Sequence, residues 1–378
     1  MTTVDERPVV VAALRSPIGT AGGGLRAVEA ADLAATVLAA VRAEVPDVPL
    51  LDVVLGNCTG PGGDVARVAA LAAGLPHDVP ALTVDRQCAS GLAAIDVGAA
   101  LLRGRTGVVL AGGVESASTA PLRFWPGEPP RRYERAPFAP ADVGDPDMGL
   151  AADLLAEKAG VSRERQDAYA ARSHALALAT QQGGGFADEL VPLAGVLRDE
   201  RPRPLTAERL ARLRPAFRPQ EEGGTVTAGN ACGVNDAAAV VAVVDSDTQR
   251  RLGRPGLRIL ATASAGVDPN LPGLGLVPAV QKALGSAGLS LDQIDVVELN
   301  EAFAGQVLAC CDALDLSPDR VSPQGGALAL GHPWGASGAV LVVRLFSQLV
   351  RGDAGRYGLA AIAAGGGQGV AVVVERCP

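Results

Sequence analysis

The chain has 378 residues, of which 48% are hydrophobic and only 3% aromatic, and it carries a formal net charge of −8. That length exceeds one ordinary compact domain and predicts two core units, or a duplicated unit with an insertion. The acidic balance leaves no electrostatic footprint for nucleic acid, and no apolar run approaches the roughly 18 to 20 residues that a membrane span needs.

With so few aromatics, the core must be built from Ala, Val, Leu and Gly, a composition suited to close helix-to-sheet packing in an α/β protein. Asp5 and Glu6 stand where a signal peptide would be basic and then apolar, so a cytoplasmic location is expected. The six cysteines (Cys58, Cys88, Cys232, Cys310, Cys311, Cys377) form no CxxC pair and are accompanied by only three histidines. Reduced thiols, with no metal and no bound cofactor, are the expectation.

In chain order, a helical pattern over residues 32–45 leads to a strand at Leu51–Asn57, then a strand (81–84), a helix (89–103), a strand (107–110) and the pair Gly112-Gly113. The pattern returns 243 residues later (294 − 51): a helix over 278–287, a strand at Ile294–Asn300, a glycine-rich segment, a helix (336–350), a strand (358–362) and Gly365-Gly366-Gly367. Strands alternating with helices of this length predict parallel-type sheets with crossover helices. The repeat predicts two similar halves with the site where they meet. Residues 117–247 break the pattern with Pro- and Arg-rich stretches, helical patterns at 150–158 and 163–181, and a turn at Gly183–Gly185. The predicted organisation is an N-terminal half over 1–116, completed by 248–256, an inserted lobe over 117–247, and a C-terminal half over 257–378.

Cys88 lies between a β-branched run and a helix that opens on small residues. Aligned backbone dipoles and unpaired N–H groups at a helix N-terminus favour thiolate, which predicts a lowered pKa. A buried structural cysteine is the competing reading of the position alone. The surrounding segment, Arg86-Gln87-Cys88-Ala89-Ser90-Gly91-Leu92, followed by Gly112-Gly113-Val114-Glu115-Ser116, resembles the nucleophile segment of thiolases. Three further blocks resemble thiolases in the family's order: Thr225 to Asp236, Asn300-Glu301-Ala302-Phe303-Ala304, and Gly325 to Pro333. The resemblance spans essentially the whole chain. It implies the thiolase fold, a duplicated five-layer α/β/α/β/α core whose inserted loop domain covers a coenzyme A tail.

The resemblance also implies the roles. Cys88 would take an acyl group from an acyl-CoA or acyl-carrier-protein thioester. His332, otherwise readable as a local cap or core residue, would activate it. Asn300, otherwise a helix N-cap, would hold an oxyanion-hole water with His332, and Gly365 would join the N–H of Cys88 as an oxyanion donor. Met148, Ala231, Cys232, Phe303 and Trp334 are the implied substrate-binding positions. The family's second cysteine, which moves the α-carbon proton, falls at Ala363 here, and alanine has no titratable group. Milder departures are Cys232 for a serine, Asp147 for a histidine, Ser322 and Gln324 for asparagines, and Trp334 for a smaller aliphatic residue.

These features lead to three readings. The first is acyl transfer through acyl-Cys88 to a carbon or heteroatom acceptor without the usual cysteine-based deprotonation. The second is an ordinary acetyl-CoA acetyltransferase or 3-ketoacyl-CoA thiolase. The third is a non-catalytic acyl-CoA-binding or scaffold subunit. The family implies a homodimer or homotetramer.

Overall fold

The computed structural model describes residues 6–378. The N-terminal half supplies β1 (Val9–Arg15), β2 (Gly19–Thr20), α1 (Ala30–Ala43), β3 (Leu50–Gly56), α2 (Val65–Ala72), β4 (Ala81–Val84), α3 (Ser90–Leu101) and β5 (Val108–Ser116). A long excursion carries β6 (Arg123–Trp125), β7 (Arg131–Tyr133), α4 (Met148–Lys158), α5 (Arg163–Gln182) and α6 (Ala207–Leu210). The chain then returns through β8 (Asn235–Val244), α7 (Ser246–Leu252), β9 (Gly256–Gly266), α8 (Leu276–Ala287), β10 (Val296–Leu299), α9 (Ala304–Leu314), α10 (Ala327–Leu330), α11 (Trp334–Phe346), β11 (Tyr357–Ala364) and β12 (Gln368–Cys377).

Among the described residues these strands form one ten-stranded mixed sheet, ordered β10-β11-β12-β9-β1-β8-β5-β3-β4, with β2 on β8. The order is near-palindromic about β1 and β9, which meet antiparallel only at Val9 and Val10 against Arg258 and Leu257. On one side β3 runs parallel to β5, and β5 antiparallel to β8. On the other, β10 runs parallel to β11, and β11 antiparallel to β12. The predicted duplication is therefore a pairing of two half-sheets.

The sheet is buried on both faces, which is why β8 reads as an unbroken apolar run rather than an alternating one. Its odd-numbered residues Ala237, Ala239, Val241 and Val243 face a central layer formed by α3 and α11. Its even-numbered residues Ala238, Val240, Ala242 and Val244 face α1 and α2. The C-terminal half-sheet packs its other face on α8 and α9. Five layers result: helices, sheet, helices, sheet, helices. The middle layer exists because its helices are lined with small residues. A Cβ on Gly91 would lie 2.7 Å from the Gly335 carbonyl oxygen, and one on Gly338 would lie 2.6 Å from the Leu92 nitrogen.

One strand sits differently from the sequence reading. Asn235–Val244 falls within the stretch assigned to the inserted lobe, yet it is a central strand of the N-terminal half-sheet, between β1 and β5. In the C-terminal half the corresponding connection, β11 to β12, is the tight turn Gly365-Gly366-Gly367. In the N-terminal half the excursion from 117 to 234 takes the place of that turn, so the excursion and the glycine turn emerge at equivalent ends of the two half-sheets.

Candidate active site

Cys88 stands at the turn from β4 into α3. Gln87 before it has φ 49°, a left-handed conformation that L-residues other than glycine adopt at a cost of roughly 1 to 2 kcal/mol. Ser90 holds the turn: its hydroxyl accepts from the Arg86 N–H at 2.7 Å and donates to the Gln87 carbonyl at 2.6 Å. Arg86 in turn reaches across to β9, donating to Ser264 Oγ at 2.6 Å.

Buried Glu115, at the end of β5, ties this region together. Its carboxylate accepts from the N–H groups of Cys58 (3.1 Å), Thr59 (3.0 Å) and Gly335 (3.0 Å), and from the Thr59 hydroxyl. Gly335 lies in the first turn of α11, where a carboxylate is favoured by the helix dipole.

The expected lowering of the Cys88 pKa is overturned. Burial pushes the thiol up to about 12, and the nearby Glu115 carboxylate adds to the rise. The N–H groups of Cys88 itself and of Gly365 are both directed at the sulfur and pull the other way, but they do not outweigh desolvation. The resting group is a neutral thiol that needs a proton acceptor when it reacts.

His332 is a neutral imidazole with one open ring nitrogen. Its backbone is set by Gly331 (φ 118°) and by the His332 N–H donating to Asn235 Oδ1 at 2.9 Å. Burial lowers its pKa to about 4, so the ring is neutral. Nδ1 lies 2.6 Å from Ser337 Oγ, while the buried Nε2 has no protein partner. If Nδ1 carries the proton and donates it to Ser337, Nε2 is left as a free acceptor.

An apolar cavity of about 30 Å³ opens at the sulfur. Cys88, Asn300, Ala363, Met148 and Phe303 line it, joined by Leu155, Pro272, Gly273 and Gln306, which the sequence reading missed. They come from α4, α9 and the turn before α8, and no motif links them. Ala231, Cys232 and Trp334 do not line this cavity. Ala231 pairs by backbone with Phe303, and the Cys232 N–H donates to the Ala302 carbonyl at 2.9 Å, so both stand one layer behind the wall. Trp334 begins α11. Cys232 still lies close enough for its own pKa, pushed up to about 12 chiefly by burial, to respond to Cys88 and to Arg201. Arg201 is a second missed residue: its guanidinium abuts Gly233, and its buried Nε has no partner.

The excursion roofs this site and is pinned to the C-terminal half. Buried Glu301, next to Asn300, accepts from Tyr169 (2.8 Å) and Ser173 (2.6 Å) of α5 and from the Leu328 N–H (3.2 Å). Phe138 lies over Gly365, where a Cβ would meet its ring at 2.5 Å.

Residues 8–247 match the family description "Thiolase, N-terminal domain" and residues 253–376 match "Thiolase, C-terminal domain". An acetyl-CoA acetyltransferase of Pseudomonas aeruginosa is 42% identical over 97% of this chain and 99% of its own. A beta-ketoadipyl-CoA thiolase of the same organism is 43% identical, covering 96% and 98%. The crystal structure of the Bacillus anthracis acetyl-CoA acetyltransferase superposes with a TM-score of 0.90 at 38% identity, covering 98% of this chain and 99% of that one. Two half-sheets around a shared helical layer, a cysteine opening that layer, and similarity along the whole length lead to one conclusion: this chain belongs to the thiolase family.

Proposed function

We propose that this thiolase-type acyltransferase loads a short acyl group from acyl-CoA onto Cys88 and passes it to the α-carbon of a second acyl-CoA, or runs that reaction in reverse as thiolysis. The observation that carries the reading is the cavity at the Cys88 sulfur, toward which the Gly365 and Cys88 N–H groups are directed; the same donors would support the charge that develops on a thioester oxygen. The thiol proton would pass to His332 Nε2 as the S–C bond forms. The leaving CoA thiolate would then be protonated. Asn300, in the same cavity wall, would hold the water of the second oxyanion hole.

A cavity of only about 30 Å³ favours a short acyl group over a long one. Arg201, near Cys232 and two residues from Arg203, supports binding of the anionic CoA portion, and a carrier-protein thioester is the other donor to test. The exposed edge strand β4, half-buried along its length, supports pairing with a second copy. Light scattering would separate monomer from dimer or tetramer.

The relatives' names favour this carbon-acceptor reading over transfer to a heteroatom or a decarboxylating extender. A single observation favours those other acceptors: the cavity wall carries Ala363, which has no titratable group. Intact mass after incubation with acetyl-CoA, together with deuterium uptake at its α-carbon, tests both. A +42 Da adduct with exchange supports carbon transfer, and an adduct without exchange supports the other acceptors. No adduct with any CoA or carrier-protein thioester returns the chain to a binding or scaffold role.

A further inference from the structure

A smaller cavity of about 20 Å³ shares Asn300 with the first and is not lined by Cys88. Glu298, Asn300, Ser337 and Arg344 give it polar walls, and Gly331 and Pro333 on either side of His332 complete that side. All four polar side chains are buried. The volume holds one water, which needs at least two polar partners.

Two of these groups can take a further hydrogen bond. Ser337 Oγ lies on His332 Nδ1; when Nδ1 donates, the serine O–H is free to donate elsewhere. Glu298 accepts from Gln348 Nε2 at 2.6 Å on Oε1 and is also hydrogen-bonded by the Ser322 side chain, and the two carboxylate oxygens keep further lone pairs for a water. Cys88 chemistry as described above does not use Glu298.

We propose that Glu298 is a positioning residue for His332, acting through a water in this cavity and the Ser337 hydroxyl. The chain runs from His332 Nδ1–H to Ser337 Oγ, from the Ser337 O–H to the water, and from the water to the Glu298 carboxylate. It fixes the tautomer that leaves Nε2 open. Through the Ser337 hydroxyl and the water, the Glu298 charge also favours the imidazolium that forms as Nε2 takes the Cys88 proton. No proton leaves the chain: one S–H bond breaks and one N–H bond forms. This inference rests on the reading of His332 as the acceptor of the Cys88 proton.

The device is poised near neutrality. Burial raises Glu298 to about 7, although the Arg344 guanidinium and the Gln348 amide favour its charged form; Glu301, a second buried carboxylate, adds to the rise. The charged and titratable neighbours of Cys88 are Glu115, Asp85, Cys58 and Cys232, and all of them remain in the variants below.

The test is the pH profile of Cys88 alkylation by iodoacetamide, read on the Cys88 peptide by mass spectrometry. In the native protein the rate should rise through an inflection near about pH 7, where Glu298 ionises. Glu298→Gln keeps an acceptor for Gln348 and should remove that inflection, lowering the rate at about pH 8.5 on the order of tenfold while the two rates converge at about pH 5.5. Ser337→Ala breaks the same chain at its middle and should also remove the inflection, whereas Glu298→Asp should keep it. An unchanged inflection in folded Glu298→Gln, or in Ser337→Ala if the first variant does not fold, overturns the proposal. A His332→Ala protein alkylated at the native rate would overturn the reading of His332 itself. A slowed His332→Ala with an unaltered Glu298→Gln overturns only the role of Glu298.

Discussion

The N–H of Gly365, in the turn that closes the C-terminal half-sheet, is directed at the sulfur of Cys88, which opens the central helix α3 of the other half. The two donors reach one sulfur only when the halves are together. Replacing Cys88 by alanine should therefore abolish acyl-enzyme formation, because none of the other five cysteines has this pair of donors. Intact-mass measurement after incubation with acetyl-CoA checks it, and a surviving adduct in the variant would sink the assignment.

His332→Ala should slow acyl loading by roughly 10² to 10⁴, the usual contribution of a general base. Because Cys88 is held as a neutral thiol, there is no pre-formed thiolate to mask the loss. Rapid-quench loading kinetics decide, and a native rate in the variant removes His332 from the proton transfer.

The same histidine marks the acid limb of stability. Its folded pKa of about 4 lies below the ordinary 6.5, so between those values the unfolded chain binds more protons than the native one. Stability is then full above about pH 6.5 and falls as the pH drops toward 4, by about 3 kcal/mol at most from this group. His332→Gln should flatten part of that fall in a series of thermal melts, with His174, lowered to about 3 mainly by burial, retaining its own share. Parallel melting curves for the two proteins across this range would contradict the burial argument.

Much of this site was legible in the sequence as motifs, and the parts that were not have a common cause. Cys88, Asn300 and His332 each sit beside glycine or small-residue signatures that the chain displays locally. The thiol's pKa was misjudged because the helix N-terminus is a local feature, whereas Glu115 and the enclosing walls come from remote segments. Leu155 and Gln306 were missed because a helix residue that lines a cavity looks, in sequence, like one that fills a core. β8 was assigned to the insertion because the repeat's only sign of it, a strand following a glycine turn, is separated from β5 by the whole excursion.

Leu155→Ala should widen acyl tolerance. Removing that side chain from α4 enlarges the wall opposite Cys88, so hexanoyl-CoA should load measurably faster relative to acetyl-CoA than in the native protein. A donor panel read by intact mass gives the ratio. An unaltered ratio would mean that the acyl chain leaves the site by another route.

Ala363→Cys should raise deuterium uptake into acetyl-CoA and acetoacetyl-CoA thiolysis together, since it returns a titratable group to the cavity wall. NMR of the recovered acetyl-CoA compares the two proteins. Native exchange as fast as that of the variant would show that another group already moves the α-proton.

The detour between β5 and β8 also bears on how the chain folds as it is made. β12, β11 and β10 pair with one another and with β9 inside one continuous stretch, residues 256 to 377, whereas β1 and β5 must wait for β8 to emerge at 235 to 244 before the middle of their half-sheet can close. Long-range pairing of this kind carries the loop-closure cost that slows folding. On the ribosome, the half that is synthesised first therefore leaves the edges of β1 and β5 unpaired until nearly two thirds of the chain has been made, an interval in which nascent chains are open to strand-edge association and to capture by chaperones.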